Sequence, residues 1–227
     1  MKKIISLIVM VACILGLVAC GGGGSDIDPA KDPIAAINRM YSVSCPTKIE
    51  GTAERKIGDR VYESTEMIIV GKVDGKDAAV YESSYEELAS IEEGAETPIV
   101  TRVTRVEYLE GKGTRTNGGN WDAEGKSFAP TNGSIAINIT SETVSNAAFS
   151  EDGKTFTCTV KAANTAAVFG EGEGIASDVS VTITTNGTQV TAVEMSWQVA
   201  ATEETPAVEV TVRTVYSYDL EVISLQK

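Results

Sequence analysis

The sequence predicts an α+β domain: a strongly curved, mainly antiparallel β-sheet, a half-barrel of roughly 8–10 strands, covered by two or three short helices. Three observations carry this. Between Lys48 and Tyr218 most of the chain alternates apolar with polar residues in short runs, the pattern of strands buried on one face. Asp74-Gly75, Asp152-Gly153 and Asn186-Gly187 separate such runs, and glycine supplies the positive φ that a tight hairpin needs. The opening stretch instead repeats at helical spacing, with Ile34, Ile37 and Tyr41 on one stripe and Met40 alongside.

Taken in order, Asp32-Pro33 predicts a helix start, Asp as the cap and Pro in the first turn, where its missing N–H costs nothing. The helix is expected over Pro33 to Tyr41 and ends by Cys45-Pro46. Lys48 to Ile57 is a strand in which Ile49, Gly51 and Ala53 alternate with Glu50, Thr52 and Glu54, and Gly58-Asp59 turns it. Arg60 to Val73 follows, with Val61, Met67, Ile69 and Val73 on one face and Tyr62, Ile68 and Val70 on the other. Lys76 to Tyr81 completes a hairpin. Small residues beside bulky ones on the next strand suit a curved sheet with room on its inner face.

Glu82 to Pro98 is rich in glutamate and small residues and reads as a solvated loop or short helix; its acids lack the spacing of a calcium loop. Ile99 to Leu109 returns to a strand, and Gly111 to Gly113 turns it into Thr114 to Trp121, with Trp121 as a packing anchor at a strand end. Ile135 to Ile139 is a short strand, and Ser141 to Phe149 is expected as a helical turn. Phe156, Cys158 and Val160 share one face of the strand Lys154 to Val160, and Asn164 caps a short helix through Phe169. Val179, Val181 and Ile183 then alternate, as do Val193, Met195, Trp197 and Val199. A three-residue loop through Thr185, with Gly187 left-handed, would set Val179 opposite Val193; a two-residue loop would set it opposite Glu194. Val208, Val210, Val212, Tyr216 and Tyr218 mark a last long strand.

Ahead of this domain, Lys2 and Lys3 precede an apolar run from Ile4 to Val18, the layout of a secretory signal. The run is short for a membrane span, which needs about 20 apolar residues. Leu17-Val18-Ala19-Cys20 resembles the lipobox of a bacterial lipoprotein, in which the cysteine thiol is diacylated before cleavage. The resemblance implies a signal peptide over residues 1–19, a lipidated Cys20 with a flexible linker over 20–31, and a single β-rich domain over 32–227. Its implied partner is a membrane, held through the lipid on Cys20. A simply cleaved signal and an uncleaved anchor are the alternatives; Cys13 has no lipobox before it. Two or more acyl chains hold a protein stably where one is marginal, at about 0.8 kcal/mol per buried CH₂. The implied location is extracytoplasmic, on the outer face of the cell membrane or, since Gly21 rather than Asp follows Cys20, in an outer membrane.

Residues 1–19 hold two lysines and no acid, so 17 basic and 32 acidic residues remain and the mature part carries a net charge of −15. Nucleic acid and a surface of anionic lipid headgroups, which both need Lys/Arg clusters, would repel it, and nucleic acid is not expected as a partner. Cys45 and Cys158 are the remaining cysteines after Cys20. A Cys45–Cys158 disulfide suits an oxidising compartment and would close a long loop worth about 4–5 kcal/mol; two free buried thiols are the alternative. There is no histidine, which removes His-based triads and His-rich metal sites, and two cysteines do not make a structural zinc site. Ser224 to Lys227 is a chance Ser-x-x-Lys in a tail, and the glycine-rich stretch Gly170 to Gly174 is acidic and unsuited to phosphate. No catalytic residue, metal or cofactor is expected.

The order of elements resembles the LolA-like and LppX/LprG-like lipoprotein fold. The resemblance is carried by the helix Pro33 to Tyr41, the strand Lys48 to Ile57, the hairpin at Asp152-Gly153-Lys154, the helix Asn164 to Phe169 and the strands around Asn186-Gly187. Tyr108 to Trp121, with its Tyr-x-x-Gly-Lys-Gly and tryptophan, is also similar to segments of Gram-positive lipoproteins of unknown function. The fold implies a sheet wrapped around helices, enclosing an apolar cavity for a lipid or lipid-like ligand, and assigns no ligand-binding residue. The sequence thus points to a non-enzymatic carrier or binder of an apolar ligand. A cell-envelope interaction or structural module is the alternative, and a hydrolase would need a deep polar cleft with a raised-pKa carboxylate.

Overall fold

Helix α1 (Pro33–Val43) begins where the sequence places it. Asp32 Oδ1 accepts the Ala35 N–H at 2.9 Å, and Pro33 occupies the first turn. The other end is fastened by Ser44, whose hydroxyl donates to the Met40 carbonyl at 2.7 Å and accepts the Val190 N–H at 3.0 Å. Asn38 Nδ2 adds a bond to the Ile139 carbonyl at 2.7 Å. These contacts fix the helix against the sheet before any apolar packing is counted. The computed structural model describes residues 27–44, 46–88, 99–126, 139–169, 175, 177–201, 206–219 and 222–226.

Among the described residues ten strands form one antiparallel sheet. They are β1 (Lys48–Ile57), β2 (Arg60–Val73), β3 (Lys76–Leu88), β4 (Ile99–Leu109), β5 (Gly113–Thr116), β6 (Val144–Phe149), β7 (Thr155–Val160), β8 (Val179–Thr185), β9 (Val190–Val199) and β10 (Val208–Ser217). Their spatial order is β5-β4-β3-β2-β1-β10-β9-β8-β7-β6. Two runs of consecutive neighbours are therefore joined in the middle, where β1 pairs with β10 from Lys48↔Ser217 to Lys56↔Glu209. The sheet stays open, with β5 and β6 as its edges, and is not closed into a barrel.

The two faces carry different chemistry. On the inner face α1 contributes Ile37, Met40 and Tyr41 to a core shared with Ile49, Ile68, Phe156, Val181, Val193, Val212 and others from β1, β2 and β6–β10. Strand alternation produces it directly: in β8 Val179, Val181 and Ile183 are buried while Ser180 and Thr184 are exposed. Tyr62, Ile68 and Val70 of β2 face this side, as the sequence indicates. A second, smaller cluster lies on the opposite face, where Ala78, Val80 and Leu109 pack under Ile223, with Ile69, Val73, Trp121 and Leu225 around them.

Five expectations need correction. Among the described residues the helical cover is one helix of three turns, not two or three; beyond it lies a 3-10 turn (Ala162–Asn164) that runs into the five-residue α2 (Thr165–Phe169). Ser141 to Phe149 is not helical: residues 141–143 form a turn. Thr140 and Thr143 bond each other's backbone and side chains in a turn, and β6 follows, because a bulge between Ser145 and Ala148 with Asn146 at φ 56° lets Phe149 pair with Phe156. Their rings meet edge to face at 5.3 Å.

The acid-rich stretch after Tyr81 is strand through Leu88, since β4 pairs it throughout and Arg105 binds Glu82. The β8–β9 loop has four residues, so Ile183 faces Val193 and Val181 faces Met195; Val179 does not face Val193. Asn186 sets this length: its Oδ1 accepts the N–H groups of Thr188 and Gln189 at 3.0 and 2.9 Å. The expected odd-with-odd pairing of the two strands holds, and Gly187 is left-handed at φ 95°. Trp121 lies beyond the end of the short β5 rather than on it.

Candidate functional site

The sheet is broader than its helical cover. An α1 of 11 residues is about 16 Å long, whereas ten strands spaced about 4.8 Å apart extend about 43 Å. The inner face beyond the helix, over β1 to β4, is where polar side chains enter the inward rows. The inward row of β1 reads Ile49, Gly51, Ala53, Arg55, and its partners on β2 are Ile68, Glu66, Ser64 and Tyr62. Tyr81, Ser83 and Tyr85 of β3 stand opposite Ile68, Glu66 and Ser64. The small side chains of Gly51, Ala53, Ser64 and Ser83 leave the middle of this face low between Tyr62, Tyr81 and Tyr85.

Two ionisable groups sit in it. Glu66 Oε1 accepts a hydrogen bond from the Tyr81 hydroxyl at 3.1 Å. Burial raises its pKa above the ordinary carboxylate range, against the lowering effect of that bond. Arg55 is only 9% exposed, and burial pulls its guanidinium below its usual pKa while Tyr62 and Glu86 oppose the shift. The site therefore combines apolar and aromatic side chains with one carboxyl whose pKa is raised by burial and one buried cation. Both residues were legible as inward positions, since each continues an alternating row, yet composition alone gave no reason to single them out.

The sequence-predicted sites fall elsewhere. Cys20 and Cys45 lie outside the described residues. Cys158 of β7 is buried in the main core at 4% exposure, and burial pushes its thiol up to about 12. Tyr41 is its neighbour and is itself held well above the ordinary tyrosine range, by burial first and then by Tyr216, Cys158 and Tyr218. The Tyr41 hydroxyl has no hydrogen-bond partner among the described residues. The stretches 135–138 and 170–174 also lie outside the described residues.

A charged cluster on the outer face was missed by sequence reasoning altogether. Glu107, 1% exposed, accepts Arg105 Nε at 2.9 Å, Arg115 Nε at 2.6 Å and the Gln226 N–H at 2.8 Å. Arg105 and Arg115 also bond the carbonyls of Ser224 and Gln226, and Arg115 lies 4.6 Å from the Trp121 ring centre. Each member is satisfied by another, and the C-terminal segment is thereby strapped across β4 and β5. Hydrogen bonds from Gln226, Arg105 and Arg115 hold the Glu107 pKa below its ordinary value although burial alone would raise it.

Among the described residues no group of three His, Cys, Asp or Glu side chains is arranged to hold a metal ion, and no helix is long and apolar enough to cross a membrane. In class, the chain is an open antiparallel sheet with a helix on one face. No family model and no curated protein matches it. Among solved structures, a DUF1329 family protein from Desulfovibrio piger is similar over 87% of this chain and 96% of that chain, with 11% sequence identity and a TM-score of 0.29. A likeness of that degree carries no functional argument.

Proposed function

We propose that the chain is an extracytoplasmic protein, lipid-anchored through Cys20, that binds or carries an apolar, lipid-like ligand on the inner face of its sheet. The observation that carries this reading is the mismatch between a ten-stranded sheet and an 11-residue helix, with the inner face over β1–β3 holding many small and aromatic side chains. Strong curvature of the sheet is part of the reading. One helix shares a core with strands that would extend about 29 Å if laid flat, nearly twice its own length of about 16 Å. The function is binding rather than catalysis. The location rests on the lipobox-like Leu17 to Cys20 and the glycine linker behind it.

The full chain, purified from the membranes of cells that make it, tests the ligand by native mass spectrometry and organic extraction. A co-purifying apolar molecule released on denaturation is the expected result; a protein of bare chain mass with nothing extractable overturns the reading. The anchor is tested separately by palmitate labelling of wild type and Cys20→Ser. Label lost with the substitution supports it, and an unlabelled wild type that still sediments with membranes refutes it.

A further inference from the structure

Strands β2 and β3 part company at one end. Their pairing runs from Val73↔Lys76 to Ser64↔Tyr85 and stops, while β2 continues along β1 to Arg60 and β3 continues along β4 to Leu88. Beyond the last pair the Glu63 N–H is taken by the side-chain Oε2 of Glu86 at 3.1 Å rather than by a strand carbonyl. The Arg55 guanidinium reaches toward this split. Its Nη2 lies 3.4 Å from Ser64 Oγ and 3.5 Å from the Glu86 carbonyl, both at the long limit for a hydrogen bond, and its Nε has no partner.

A guanidinium at 9% exposure normally pairs with a carboxylate, because an uncompensated buried charge is strongly unfavourable. Arg55 forms no ion pair among the described residues. Glu66, the acid on the same face, stands opposite Gly51, four residues from Arg55 along β1 and so about 13 Å away. Glu86 is near enough to favour the charge without forming an ion pair, and its Oε2 accepts the Glu63 N–H. The surroundings of Arg55 are otherwise aromatic and aliphatic: Tyr62, Arg55, Val210 and Trp197 form one row across β2, β1, β10 and β9.

We infer that Arg55 receives the anionic head group, a carboxylate or a phosphate, of an amphipathic ligand whose apolar part lies along the inner face. This rests on the apolar-ligand reading above and adds the chemical class of the head group. The fork of a guanidinium suits either oxyanion, and the unpaired Nε is one of the donors it would use.

The test is calorimetric titration of the full chain with octanoate, octyl phosphate, octanol and inorganic phosphate, each below any micelle-forming concentration, for wild type, Arg55→Met and Arg55→Lys. Wild type is expected to bind octanoate or octyl phosphate at least tenfold more tightly than octanol. Arg55→Met reduces both to the octanol level, and Arg55→Lys keeps part of the preference. Equal binding of charged and neutral chains by wild type, or a preference that survives in Arg55→Met, overturns the head-group assignment and leaves the apolar-ligand reading standing. Inorganic phosphate bound as tightly as octyl phosphate overturns the apolar reading instead, and the amphipathic ligand with it. A melting curve without ligand guards against a folding artefact. Arg55→Met melts at or above wild type if the charge is uncompensated, and a large drop refutes the inference.

Discussion

Replacing Glu107 by Gln tests the outer-face strap most directly. The carboxylate accepts three bonds, two from guanidinium groups at 2.9 and 2.6 Å and one from the Gln226 N–H at 2.8 Å. Gln retains one acceptor oxygen, turns an N–H₂ toward one arginine and removes the counter-charge of both. Breaking one side of a buried ion pair costs about 3–5 kcal/mol. Arg105 and Arg115 keep 18% and 10% side-chain exposure and can partly return to water, so about 2–4 kcal/mol is expected. For a chain of this size that lowers Tm by about 4–16 °C. The pH series supplies a second readout. Because the folded Glu107 pKa is depressed, its contribution is present above the unfolded carboxylate value of about 4.3 and is lost as pH falls through the folded value. Wild type and E107Q therefore converge in acid and separate at pH 7. Deleting residues 222–227 in both backgrounds completes a double-mutant cycle with an expected coupling of about 0.5–3 kcal/mol, since the deletion removes the Gln226 bond. A loss under about 0.5 kcal/mol at pH 7, or additive effects, would refute the strap as a charge-held unit.

Glu66→Gln is expected to act with the opposite sign. The folded pKa of Glu66 is raised, so folding loses stability as pH climbs through the unfolded value toward the folded one; E66Q should melt above wild type at pH 7, with the gap closing below about pH 4. Equal melting across the series would show that burial does not raise the Glu66 pKa. Tyr41→Phe deletes a buried hydroxyl that has no partner and keeps the ring, so urea unfolding should show a gain of about 1–3 kcal/mol, and a loss would mean that the hydroxyl is bonded in solution. Cys158 should resist iodoacetamide at pH 8 in the native chain, because its thiol is buried and pushed up to about 12; mass spectrometry finding it alkylated as fast as an exposed thiol would refute its placement in the core.

Most of the architecture was legible because strand burial has a period of two. The alternation of Val179, Val181 and Ile183, and of Phe156, Cys158 and Val160, assigned both strand and inward face without any tertiary information. Asp32-Pro33 likewise marked the start of α1 through bonds made within one turn. What escaped depended on partners distant in sequence. Glu82 to Leu88 looks like a solvated loop because its composition is polar, and only pairing with β4 makes it a strand. The β8–β9 register turned on the side chain of Asn186, whose two backbone bonds lengthen the loop beyond the shorter turns its Asn-Gly sequence suggests. Glu107 is one acid in a run of alternating charges until the C-terminal residues, more than a hundred positions later, fold back over it.

The two faces of the sheet handle charge differently, and that difference separates structure from function. On the outer face Glu107, Arg105 and Arg115 neutralise one another and are capped by backbone groups of the C-terminal segment. Nothing there is left for a ligand to complete, and the energetic consequence is to hold residues 222–226 down on Ala78, Val80 and Leu109. On the inner face Arg55 keeps an Nε with no partner among the described residues and burial raises the Glu66 pKa, at separate positions about 13 Å apart along the strands. A sheet whose only role was to pack would gain by pairing these two groups or by replacing them with aliphatic side chains, since a well-packed apolar substitute is commonly as stable as a buried ion pair. A buried cation with no ion pair among the described residues, amid tyrosines and small residues, is the arrangement that the head-group proposal addresses: under it, the stability given up at Arg55 would be recovered when an acidic amphiphile binds.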